Sequence, residues 1–173
     1  MWHLRFIFLI CSSILSFEMT PALAACYGVV NCSSAPDIPI SPATKIEVPS
    51  PNVPPGTARW SGAWFCQWGA ATAGASYYGD GLPAVLLVES ILPSGDMEGV
   101  YAWGSNPKLS VAPGSTRIRS KINEGRLVFG TRFIFQASLR LDGRLELQRY
   151  RDGALTATCI MDRVELSHLM GGS

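Results

Sequence analysis

The stretch RWSGAWFCQW, residues 59–68, decides how the chain is read. Trp60, Trp64 and Trp68 recur every fourth residue, with Gly62 and Cys66 at the even positions between them. That spacing fits one face of a strand, where alternate residues align, and also a helical stripe of i and i+4 neighbours. Gly62 and the aromatic density disfavour a helix. Pro55-Gly56 and Gly69 bound a strand-sized length. A strand therefore carries Trp60, Gly62, Trp64 and Cys66 on one face. Core packing is the natural use of that face, with Trp68 at the strand's end reaching solvent.

Downstream, short apolar or alternating runs follow at 58–66, 83–92, 97–103, 115–122, 125–130, 132–141, 144–151 and 154–164. Glycine-containing turns separate most of them, including Asn123-Glu124-Gly125, Asp142-Gly143 and Asp152-Gly153. Regular short strands with such separators predict an all-β fold, an eight-stranded antiparallel meander over 58–164 that is a closed or nearly closed barrel. Parity refines the last hairpins. Paired positions share a face, so an odd-length loop around Gly143 sets leucines against leucines. The same logic after Asp152-Gly153 turns Leu155, Ala157, Cys159 and Met161 inward.

Residues 26–57 contain seven prolines and little periodicity. Such a segment reads as a Pro-rich linker, assigned to 25–57, that buries too little apolar surface to offset ordering. Residues 165–173 read as a C-terminal tail.

The N-terminus reads as an export signal over 1–24. Arg5 precedes the apolar run 6–17, and Ala22 and Ala24 follow as small residues. Two processing routes stay open. Cleavage after Ala24 leaves Cys26, Cys32, Cys66 and Cys159, an even set suited to an oxidising space. Alternatively Leu23-Ala24-Ala25-Cys26 acts as a lipobox, Cys26 is lipidated, and the chain is tethered to a membrane. A periplasmic or secreted location is expected on the first route, a membrane-anchored lipoprotein on the second.

Cys66 and Cys159 are expected to form a disulfide. Each shares parity with core-facing residues of the first and last strands, which closure brings side by side. Cys26 and Cys32 are left to form a second bridge, or to divide between lipid and free thiol.

Functional chemistry is sparse. With the signal removed one histidine remains, His168, which excludes paired-histidine metal sites. No cofactor motif and no nucleophile elbow is present, and the chain is read as a non-enzyme. The carboxylates Asp96, Glu98 and Glu146 sit beside turns or on polar strand faces. Charge is uneven: residues 105–173 hold eleven basic side chains against six acidic. Arg117, Arg119 and Lys121 alternate on one strand, with Arg126, Arg140 and Arg144 on its neighbours. Such a basic face suits an anionic glycan or lipid head group, whereas export argues against nucleic acid. Loop 69–81 is long and rich in small residues, and its Tyr77 and Tyr78 are contact residues. With Trp68 and Trp103 they form a candidate binding rim at one barrel mouth.

Gly62-Ala63-Trp64 resembles the short Gly-x-Trp signature on the first strand of lipocalin-like (calycin) barrels, which include lipocalins, avidins and small bacterial periplasmic protease inhibitors. In lipocalins that Trp closes one barrel end beneath an Arg of the last strand. The resemblance assigns those roles to Trp64 and Arg163. The sparse catalytic chemistry and the candidate rim point to a non-catalytic envelope module that binds a small ligand or an envelope protein at one barrel mouth. A structural or adaptor lipoprotein, or a small enzyme inhibitor, is the alternative.

Overall fold

The computed structural model describes residues 37–70 and 81–170. Its strands are β1 (Gly62–Gln67), β2 (Gly69–Ala70), β3 (Pro83–Ile91), β4 (Asp96–Trp103), β5 (Gly114–Asn123), β6 (Arg126–Phe129), β7 (Ile134–Leu139), β8 (Leu145–Arg151) and β9 (Ala154–Val164). β1 and β2 are one strand position interrupted at Trp68, so the barrel has eight staves. Each stave pairs antiparallel with the next in chain order, and β9 pairs back onto β1 and β2. The sheet thereby closes into a barrel, with β5 meeting β6 only at 122–123 with 126–127.

Strict alternation fills the interior. Trp64, Cys66, Leu86, Leu127, Leu145, Leu147, Ala157 and Met161 are all buried in one core. β3 departs from alternation because both its faces are covered. Ala84, Leu86 and Val88 point into the barrel, while Val85 and Leu87 pack outside with Ile38, Ala63, Ala102 and Leu169. A run buried on both sides reads as continuously apolar, as PAVLLVES does.

The cover is residues 37–57, expected as a loose linker. They lie along the barrel instead. The Glu47 amide donates to the Glu89 carbonyl at 2.7 Å, and Ser61 Oγ donates to the Glu47 carbonyl at 3.1 Å. Prolines keep this segment out of a ladder, but scattered apolar residues still find partners. Ile38 is buried in the outer cluster with Ile40 and Ile46 packed against it, while Val53 is buried in the barrel core. A turn of helix, α1 (Pro55–Ala58), opens on proline, whose fixed φ suits a first helical position. Trp60 consequently precedes β1 rather than belonging to it, although it is buried. A second helical turn, α2 (Leu166–Leu169), replaces the expected loose tail and buries Leu169 against the outer face.

The two final hairpins divide the parity argument. Arg140 and Arg144 close a three-residue loop through an amide-to-carbonyl bond of 2.8 Å, and Gly143 is left-handed at φ +83°. Leu139 accordingly faces Leu145, but Leu141 rides the turn tip in solvent. At Asp152-Gly153 the loop has two residues, both left-handed, the mirror-type turn that suits strand twist. The odd residue appears later as a bulge: Tyr150 pairs with Leu155, Arg149 with Ala157, and Thr156 is extra. Ala157, Cys159 and Met161 therefore face inward while Leu155, expected with them, is exposed.

Cys66 and Cys159 form a disulfide with a Cα–Cα distance of 6.1 Å. It lies between the two short ladders that close the barrel, 63–65 with 162–164 and 69–70 with 157–158.

Candidate functional site: the barrel mouth

β1, β4 and β8 end at the same barrel opening where β3, β5 and β7 begin. A cavity of about 470 Å³ opens there, within the size range of small-ligand sites. Its walls are aromatic. Tyr101 and Trp103 come from the end of β4, Phe135 from β7, and Phe133 from the turn before it. Tyr101 lies 4.7 Å from Phe135 and 5.8 Å from Trp103, centroid to centroid. Phe129 stacks on Phe135 from behind at 5.1 Å. Trp68 Nε1 donates to the Tyr101 hydroxyl at 3.0 Å, fixing the phenol. Burial pushes that hydroxyl above the usual phenol range, so it stays protonated at neutral pH.

One strand brings a charge into this apolar setting. Leu145, Leu147 and Arg149 alternate on the inner face of β8, so a strand with two core leucines must also turn Arg149 inward. Arg149 is only 5% exposed. Its Nε donates to Thr156 Oγ1 at 3.1 Å, and that hydroxyl donates to the Arg149 carbonyl at 3.0 Å. Its guanidinium lies 5.6 Å from the Trp68 ring and 5.4 Å from the Phe133 ring. Arg132, also lining the cavity, and Arg151 approach the same Phe133 ring at 5.8 and 5.9 Å. No carboxylate is among the described residues lining the cavity.

The sequence-predicted rim is placed unevenly. Trp103 lines the cavity, half-buried, its Nε1 donating to the Ala112 carbonyl at 3.0 Å. Trp68, expected in solvent, is 2% exposed. It falls between the two ladders, where its amide bonds the Leu82 carbonyl and the strand's alternation still turns the ring inward. It lies beneath the mouth. Tyr77 and Tyr78 lie outside the described residues, as do Cys26 and Cys32. Arg132 and Arg149 were absent from the sequence-based candidates; the parity of Leu145 and Leu147 carried the signal for Arg149.

At the opposite end Trp64 and Arg163 stand directly across the β1–β9 ladder. The guanidinium lies 4.2 Å from the Trp64 ring. It donates to the carbonyls of Ser61 and Arg59. Burial, with Arg59 close by, lowers its pKa from the ordinary arginine value.

The outward basic residues are largely ion-paired. Arg117 meets Glu89 at 2.5 Å and Arg119 meets Glu98 at 3.1 Å. Arg140 and Arg144 share Asp142 at 3.3 and 2.8 Å. Glu146 lies 3.6 Å from Arg140, and Asp96 accepts from Ser94 Oγ at 2.6 Å. His168 is exposed on α2. Among the described residues no group of three metal-ligating side chains comes together. No protein-family model and no curated protein matches the chain.

Proposed function

We propose that the chain is an exported, non-catalytic binding module of the bacterial envelope that takes its ligand or partner at the open barrel mouth. The aromatic cavity holding a buried arginine carries this reading. Largely pre-formed, mostly apolar concavities with a few placed polar groups are the usual form of ligand sites. The remaining barrel interior is filled by its own side chains, as expected at eight strands. A core disulfide suits an oxidising compartment, in keeping with the N-terminal signal features. The closed barrel, with an arginine laid over Trp64, supports kinship of form with lipocalin-like domains.

The test uses N-phenyl-1-naphthylamine, an uncharged probe that fluoresces in apolar sites. Trp103→Ala with Phe133→Ala should weaken its binding at least tenfold. Val128→Ala, on the outer face, should leave it unchanged. Equal affinity in all three proteins would remove the mouth as the binding site.

A further inference from the structure

Resting on that assignment of the mouth, we infer that its ligand is a small organic anion: an acidic group held by Arg149 and Arg132, with an apolar ring or short acyl chain lying against Tyr101, Trp103, Phe133 and Phe135.

A guanidinium in an apolar interior carries a heavy desolvation cost unless compensating interactions meet it. Arg149 is kept there at 5% exposure, on a strand face otherwise given to leucine. A packing role alone would be served by methionine or leucine. Its placement is specific: the Thr156 hydroxyl, supplied by the β-bulge, holds Nε at 3.1 Å and so orients the guanidinium plane. Arg132 also approaches the Phe133 ring, and both arginines border the same cavity. Arg132 and Arg149 are the charged side chains among the described lining residues, and low-dielectric walls strengthen the pull of each on an anion.

Arginine matches planar oxyacids through paired N–H donors. The neutral Tyr101 phenol retains a proton to donate. Four aromatic rings offer nothing to a fully hydrophilic anion such as inorganic phosphate, but they suit an apolar body. Charge at one end and apolar surface along the rest define an amphipathic acid.

Two fluorescent probes share one ring system. 1-Anilinonaphthalene-8-sulfonate carries a sulfonate, and N-phenyl-1-naphthylamine is its uncharged counterpart. The disulfide-intact protein should prefer the sulfonate, and decanoate should displace it while decanol does so poorly. Arg149→Met keeps the side-chain length and removes the charge. It should cost the sulfonate roughly ten- to a hundredfold in affinity and leave the uncharged probe within about twofold. Arg132→Gln, at an exposed residue, keeps the test alive should Arg149→Met fail to fold, and it should reduce the preference in the same direction. If Trp103→Ala with Phe133→Ala weakens both probes while the arginine variants bind sulfonate as before, the anion assignment falls and the mouth stands. If that aromatic double variant alters neither probe, the mouth and the anion fall together.

Discussion

Gly62 has φ of +135°, a region that side chains rarely adopt. A Cβ there would also collide with Arg163 Nη1. Both facts give the Gly-x-Trp pattern a physical meaning: glycine leaves room for the guanidinium that covers Trp64. Gly62→Ala should lower unfolding free energy by about 1–3 kcal/mol from backbone strain, measured by urea denaturation. It should also blue- or red-shift Trp fluorescence as the Arg163 cover moves. A second residue sets a pH response. The Arg144 side chain, then its amide, and then Arg140 hold the Asp142 carboxyl down to about 2. A carboxylate with a folded pKa below its unfolded value of about 3.9 stabilises the fold above that value. That contribution is lost as pH falls through about 2. Carboxyl-carbon NMR should show Asp142 titrating there, and Arg144→Gln should bring its midpoint up toward the ordinary range. Trp64 and Arg163 were legible only through the Gly-x-Trp resemblance, which pairs a first-strand tryptophan with a last-strand arginine. Arg149 was not singled out, because in RLELQRYR it sits among other arginines that face solvent, and only its parity with Leu145 and Leu147 distinguishes it.

At the scale of elements, the strands were readable because turn chemistry punctuates them every few residues. Each predicted run from 83 onward overlaps an observed strand. What escaped is tertiary. The bulge at Thr156 leaves no mark in sequence, yet it turns Leu155 out while supplying the hydroxyl that holds Arg149. Thr156→Val removes that acceptor at nearly constant shape. It should cost about 1.5–3 kcal/mol and weaken sulfonate-probe binding, whereas a purely structural hydroxyl would affect stability alone. The segment 37–57 escaped for a different reason. Its three isoleucines, at 38, 40 and 46, are too few among the prolines to set a period, so their use is fixed only by the doubly apolar β3 beneath them. Ile38→Ala should cost about 2–4 kcal/mol in urea denaturation. Val48→Ala, at a side chain 93% exposed, should stay within about 0.5 kcal/mol.

At the scale of the whole molecule, closure depends on short seams; β5 meets β6 only at 122–123 with 126–127, and the seam that joins the last stave to the first is also brief. β4 pairs with β5 along the entire length from Asp96 to Trp103, whereas β9 meets the first stave in only two short ladders. The disulfide sits where those ladders lapse. Peptide mapping of the unreduced protein should recover Cys66 joined to Cys159. In the chain-entropy picture a loop of this length contributes about 4–5 kcal/mol at most. Reduction should therefore lower the denaturation midpoint, and hydrogen exchange should accelerate first at β1 and β9, with β3 and β4, paired along both edges, last. The same bridge governs how the protein bears a pulling force. The sequence separation between the joined cysteines is 93, held at a Cα–Cα span of 6.1 Å. Stretched from residues 37 and 170, the oxidised chain can pay out only the segments outside the bridge, and everything between stays locked as a block of fixed length. Adding reductant under load should release one further step of roughly 300 Å of contour, so the thiol state of its surroundings sets whether the domain acts as a rigid bead or an extensible tether.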